Sequence, residues 1–351
     1  MTAIDPAASA AGASGPYYHL RVSRVIDETA DARSFEFEIP EALRERFAYR
    51  AGQFLSFRVE VDGHRLVRCY SLASAPGEGG PHKVTVKRVA DGRVSNWMNE
   101  HVAAGDTLEV MHPTGVFCLR ERTTPIVLFG GGSGITPVIS ILKTALATGK
   151  RPVKLVYANR DEASIIFAQE LEAIRRAHPE RFELVHRLDV VHGFVDAERV
   201  VDEVGKRTDA DFYICGPGPF MDVVEQGLQS LGVASDQIFI ERFTSPVDAP
   251  AAATPVDTTG GTKITVKLDG KETVIEMGEG ETVLAAARRA GLEPPFACEE
   301  AYCGCCMAKV VSGQVEMRMN DGGIDQRQID EGYILTCQGI PKGDARIEWP
   351  D

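Results

Sequence analysis

The stretch CEEAYCGCC, Cys298 to Cys306, holds four of the chain's eight cysteines within nine positions. Cys298, Cys303 and Cys306 stand in C-x4-C-x2-C spacing, and Cys337 follows at a distance in LTCQ. That spacing suits a 2Fe–2S cluster, in which a loop brings successive thiolates onto soft iron. A structural zinc site would show paired C-x2-C knuckles, and one such pair is present. Cys305 falls between ligand positions and is left over.

The rest of the 351 residues must explain where the electrons come from. The length argues for two or three domains. Charged residues make up 25% and hydrophobic residues 44%, which is ordinary for a globular chain. The net charge of −13 argues against a nucleic-acid partner. No apolar run reaches the roughly 18 residues of a membrane span. The opening MTAIDPAASAAGASG lacks the basic and apolar regions of a signal peptide, so a cytoplasmic location is expected. Cysteines kept reduced there favour metal over disulfides.

Residues 17–121 read as β-rich. RSFEFEI, QFLSFRVEV and HKVTVKRV alternate polar and apolar, with one helix, VSNWMNEHVA, for which Ser95 is the expected cap. Short strands with one helix predict an antiparallel barrel. Residues 122–245 alternate strands (PIVLFG, VKLVYA, FELVHRL, DFYICG, QIFIE) with helices (TPVISILKTALA, IIFAQELEAIRRA, PFMDVVEQGLQSL), predicting an α/β parallel sheet. Residues 246–261, PVDAPAAATPVDTTGG, read as a linker. Residues 262–351 form a compact module with strands KITVKL and KETVIEM before the helix TVLAAARRAG. Its 10 Lys and Arg against 16 Asp and Glu leave it at −6.

Three turns carry candidate chemistry. In RCYSLAS, Arg68, Tyr70 and Ser71 offer a cation for phosphate, an aromatic face and a hydroxyl, although Tyr and Ser on a strand are more often packing residues. In DGRVSNW, Gly92 and Ser95 start a helix, where N–H groups and the helix dipole favour pyrophosphate; an ordinary cap looks the same. FGGGSGITP, Phe129 to Pro137, and CGPGPFM, Cys215 to Met221, are strand-to-helix turns at the end of a parallel sheet, where ligands bind. Neither has the G-x-G-x-x-G order of a standard dehydrogenase. In YANRDEASIIF, Arg160 could meet a 2′-phosphate and Asp161 would repel one. The histidines show no catalytic or metal-binding pattern.

In this order the pieces resemble the ferredoxin–NADP reductase superfamily: R-x-Y-S at Arg68, Cys69, Tyr70 and Ser71, G-x-G-x-T-P in the stretch Gly131 to Pro137, which holds Gly131, Gly132, Gly134 and Thr136, and C-G-x-x-x-x-M at Cys215, Gly216 and Met221. The C-terminal module resembles a plant-type ferredoxin domain of β-grasp fold, except that Glu299 stands for an Arg and Ala301 for a Gly of the usual loop. The domain order is similar to reductase components of multicomponent oxygenases. IDETADARSFEFEIP, ICGPGPFM and IDEGYILTCQ resemble most the ferredoxin reductases of 3-ketosteroid 9α-hydroxylases.

The resemblance implies a multi-domain enzyme with an antiparallel β-barrel for flavin, an α/β nucleotide domain and an α+β β-grasp ferredoxin domain. FAD, NADH and a 2Fe–2S cluster are its cofactors. Tyr70 would stack on the flavin, Ser71 would bond near N5, and Arg68 and Ser95, with Lys87 and Val94, would hold its remainder. Thr136 and Cys215 would border the nicotinamide, and Asn159 and Arg160 the adenosine. Glu241 would act beside the flavin and Phe243 would cover its second face. Ser71, Cys215 and Glu241 form the catalytic set. Cys298, Cys303, Cys306 and Cys337 would ligate the cluster. The partner would be a terminal oxygenase of steroid or aromatic catabolism. The alternatives are a phenylacetyl-CoA epoxidase-type di-iron system, or a non-catalytic electron carrier or redox sensor.

Overall fold

The computed structural model describes residues 17–243, 262–296, 299, 301, 304–320 and 323–350. The expected linker at 246–261 lies outside them.

The first unit contains β1 (Tyr17–Thr29), β2 (Ala32–Glu38), β3 (Phe54–Val61), β4 (His64–Ser71), β5 (His82–Lys87), helix α1 (Arg93–His101) and β6 (Thr107–Met111). Its six strands form one antiparallel sheet in the order β4-β3-β6-β1-β2-β5. The sheet curls until Leu72, just past β4, bridges Val84 of β5, so the two edges meet and the expected barrel closes. Alternation turns Leu55 and Phe57 of β3 inward, onto Phe35, Phe37 and Met98. The cap of α1 is Gly92, not Ser95. Ser95 sits in the first turn, where its hydroxyl accepts from the Val89 N–H (3.3 Å) and faces the Gly92 carbonyl (3.4 Å).

The second unit follows the α/β pattern: β7 (Ile126–Gly131), α2 (Ile135–Thr148), β8 (Val153–Asn159), α3 (Ala168–Ala177), β9 (Phe182–Leu188), α4 (Asp189–His192), α5 (Ala197–Val204), β10 (Asp211–Cys215), α6 (Gly218–Ser230) and β11 (Ile238–Glu241). The strands are parallel in the order β11-β10-β7-β8-β9. The central strands β7, β8 and β10 are buried along their whole length, as a sheet covered on both faces requires. Helix α3 begins at Ala168, later than IIFAQELEAIRRA suggests. Asp161 and Ser164 form their own capping box, and Phe167 takes a left-handed φ of 62° that separates that turn from the helix.

The third unit contains β12 (Lys263–Leu268), β13 (Lys271–Glu276), α7 (Val283–Arg289), β14 (Met307–Ser312), β15 (Val315–Met317), α8 (Gln326–Asp330), β16 (Tyr333–Leu335), β17 (Gly339–Pro341) and β18 (Ala345–Glu348). Its main sheet runs β13-β12-β18-β14-β16, with β12 and β18 parallel at the centre and α7 packed on one face, a β-grasp arrangement. No helix among the described residues is long and apolar enough to cross a membrane.

Candidate functional site

The R-x-Y-S strand is β4, paired with β3 so that Tyr70 faces Leu55, Cys69 faces Ser56 and Arg68 faces Phe57. Tyr70 therefore lies on the barrel's inward face, its ring 5.8 Å from that of Phe57. Burial pushes its hydroxyl pKa up, against the pull of Arg68. Cys69 points to the opposite face. The Ser71 hydroxyl is buried and has no hydrogen-bond partner in the protein, the state of a group reserved for a ligand. Val94 is packed in the barrel core, so its backbone alone is available to a cofactor. Lys87 reaches Asp31 at 3.6 Å.

The chain leaving β4 is tied to the nucleotide unit. The Ser140 hydroxyl on α2 donates to the Ser74 carbonyl at 2.6 Å. One helical turn earlier on the same face stands Thr136, whose hydroxyl donates to the Ser133 carbonyl at 3.1 Å. The flavin-type and nucleotide-type motifs, far apart in sequence, are thereby fixed against one another.

The two Gly-rich turns pack backbone to backbone. A Cβ on Gly134 would come 2.1 Å from the Cys215 carbonyl oxygen, and one on Gly216 would come 3.0 Å from the Gly131 Cα. A Cβ on Gly131 would strike Phe220 and Pro217. Gly132 differs: its φ of 52° needs glycine, and nothing occupies the space beside it. Its carbonyl accepts from the Tyr157 hydroxyl at 3.0 Å. Cys215 ends β10 in register with Gly130 on one side and Glu241 on the other. Burial, then the Glu241 carboxylate, raises the Cys215 thiol pKa well above its usual value. Met221 is buried in the core behind the sheet, and Phe243 is 44% exposed beyond β11. Asn159 is buried at the end of β8. Arg160 is exposed and pairs with Asp161 at 2.8 Å.

In the third unit, Cys298 and Cys303 lie outside the described residues. Cys306 and Cys337 are described, both buried, and hydrogen-bond to each other, which draws the Cys337 thiol down to about 7 against the effect of burial. The Cys306 carbonyl accepts from the Thr336 hydroxyl at 2.8 Å and from the Thr336 N–H at 3.2 Å, which ties the two cysteine segments together. These donors fit a thiolate-bound cluster. Ala301 takes a φ of 64°, the left-handed conformation for which its position suits glycine. Glu299 pairs with Arg288 of α7 at 2.9 Å, so its charge does not stand alone beside the cluster loop.

Family models match all three units: an oxidoreductase FAD-binding domain at residues 19–118, an oxidoreductase NAD-binding domain at 128–226 and a 2Fe-2S iron-sulfur cluster binding domain at 266–342. The ferredoxin reductase component of 3-ketosteroid-9-alpha-monooxygenase from Rhodococcus rhodochrous is 43% identical over 94% of this chain and 96% of that protein. The chain belongs to the family of oxygenase ferredoxin reductase components. One component of the 1,2-phenylacetyl-CoA epoxidase from Escherichia coli K12 is 34% identical over 93% of the reductase and 95% of that component. The crystal structure of phthalate dioxygenase reductase, described as a modular structure for electron transfer from pyridine nucleotides to [2Fe-2S], superposes with a TM-score of 0.60 at 25% identity, covering 95% of the reductase and 98% of that chain. The reductase is thus an FAD- and NAD-binding oxidoreductase with a 2Fe–2S domain.

Sequence reasoning did not find Ser56, Arg65 or Glu293, which join the third unit to the barrel. Ser56 and Cys305 are 249 positions apart, and no local pattern links them.

Proposed function

We propose that the reductase oxidises NADH and delivers single electrons to the oxygenase of a 3-ketosteroid 9α-hydroxylase-type system. The observation that carries the reading is the pair of motif turns locked together by Ser140 and Ser74, with the unpartnered Ser71 hydroxyl beside them. Flavin accepts a hydride and releases electrons singly, which joins a two-electron donor to a one-electron cluster. In this reading Tyr70 stacks on the flavin ring, Ser71 hydrogen-bonds near N5, and Arg68 with the start of α1 around Ser95 binds pyrophosphate. Lys87 and the Val94 backbone complete the flavin contacts, and Phe243 covers the second ring face.

Gly132, Thr136 and Cys215 line the nicotinamide face, and Glu241 orients the reacting edge. Gly131, Gly134, Gly216 and Met221 hold the shape of that pocket. Asn159 and Arg160 meet the adenosine. Because Asp161 already neutralises Arg160, a 2′-phosphate finds no unmatched cation there, which supports NADH over NADPH. Cys298, Cys303, Cys306 and Cys337 ligate the cluster.

The test is steady-state kinetics with both nucleotides, followed by coupling to purified oxygenases. NADH should give a higher kcat/KM than NADPH, and 3-ketosteroid turnover should exceed phenylacetyl-CoA turnover. Ser71→Ala should slow flavin reduction by roughly tenfold while leaving stability unchanged, because no protein hydrogen bond is lost. Preference for the epoxidase component would replace the steroid reading.

A further inference from the structure

Cys305 is the cysteine left over from the ligand spacing, and it is buried against another domain. Its Sγ lies 3.3 Å from the Ser56 hydroxyl on β3 and 3.7 Å from the Thr114 hydroxyl. It joins Tyr17, Phe54, Val67 and Met111 in one apolar cluster, with Cys69 of β4 packed against it. Nearby, Glu293 ion-pairs with Arg65 of β4 and approaches Arg58 of β3 at 3.7 Å. Arg58 is itself fixed: it is buried, bound bidentately to Glu109 at 2.8 and 2.9 Å, and stacked 4.1 Å from the Tyr17 ring. Two separate contacts, one apolar and one ionic, therefore seat the third unit on the β3–β4 hairpin. The hairpin's opposite face carries Tyr70.

We propose that Cys305 is a positioning residue: a knob next to Cys306 that registers the cluster loop on the outer face of β3 and β4, with Glu293 and Arg65 as the reversible electrostatic half of the dock. The proposal rests on the electron-transfer reading above. It concerns the passage of one electron at a time from flavin reduced by NADH to the oxidised cluster, with no bond made or broken in that passage. A small apolar knob releases easily, which a module that must also meet an oxygenase requires. The exposed ion pair makes docking sensitive to salt.

The test uses the full-length, flavin- and cluster-loaded protein. Stopped-flow absorbance after mixing with NADH separates flavin bleaching from cluster reduction, and hydrogen exchange follows residues 64–71, the strand that carries Arg65 and Cys69 on the face against which the third unit packs. Cys305→Asp and Arg65→Glu should leave NADH-driven flavin bleaching and the dithionite-reduced cluster signal as in wild type. They should slow cluster reduction by roughly tenfold or more, as misplacement of reacting groups does, and speed exchange in 64–71. Adding Glu293→Arg to Arg65→Glu should restore both. If Cys305→Asp fails to load iron, the Arg65 pair decides. Wild-type cluster reduction and exchange in these variants overturn the dock. Loss of NADH bleaching in wild type itself would instead overturn the electron-transfer reading.

Discussion

Cys215 and Glu241 are in-register neighbours at the carboxyl ends of β10 and β11, both buried, with the carboxylate helping to keep the thiol protonated. The arrangement places a neutral thiol and an acidic group side by side where the nicotinamide is proposed to bind. Because the Cys215 pKa is raised, its thiolate is absent through neutral pH. Iodoacetamide at pH 8 should leave Cys215 unmodified in the folded protein, as peptide mass spectrometry would report. Glu241→Gln should slow flavin reduction by NADH by roughly tenfold to a hundredfold, measured by stopped flow, while NADH affinity changes little.

The glycines of the two turns should separate by mechanism. Gly134→Ala forces a Cβ onto the Cys215 carbonyl, a backbone contact that cannot yield cheaply. It should cost about 1–3 kcal/mol in chemical denaturation and weaken NADH binding. Gly132→Ala meets open space and pays only for its left-handed backbone, about 1 kcal/mol.

Acid should loosen the barrel from the nucleotide unit. Burial opposes ionisation of Glu170, but Lys143 and Lys83 outweigh it and hold its pKa below the usual carboxylate value. Lys83 comes from β5 of the barrel at 2.9 Å and Lys143 from α2 at 2.8 Å. A depressed carboxylate contributes stability above its unfolded pKa and loses it as pH falls through the folded one. Glu170→Gln should therefore cost about 2 kcal/mol near neutrality. The gap to wild type should shrink as pH drops below the carboxylate range, in melting curves recorded across pH.

The acidic cluster loop is partly compensated. Glu299 would lower the cluster's potential if it stood alone, but Arg288 pairs with it and also lies 4.2 Å from the Phe296 ring. Arg288→Ala should lower the potential by about 40 mV, the one-electron equivalent of about 1 kcal/mol of ion pairing. A redox titration followed by electron paramagnetic resonance would measure it.

Much of this was legible in the chain. The alternating strands of residues 17–121 and the strand–helix rhythm of 122–245 are periodic patterns, and both appear as barrel and parallel sheet. The R-x-Y-S, Gly-rich and Cys215 motifs are local, but each alone reads equally well as packing or an ordinary turn, and it is their combination and order that carry the resemblance. What stayed hidden depends on tertiary approach. Ser95 has the chemistry of a cap, yet Gly92 takes that place because the turn enters the helix earlier. Helix α5 is short and starts only where Asp196 caps the Arg199 amide. Gly131, Gly134 and Gly216 also close two turns on each other, an approach that no local pattern reveals. Cys305 carries no signal at all until β3 is brought beside it.

The most direct test of the account is an anaerobic visible spectrum of purified reductase before and after one equivalent of NADH. Flavin bands and iron–sulfur shoulders should be present at the start, and both should bleach on addition. A flavin that bleaches while the cluster stays oxidised, or a chain that carries neither chromophore, would contradict it.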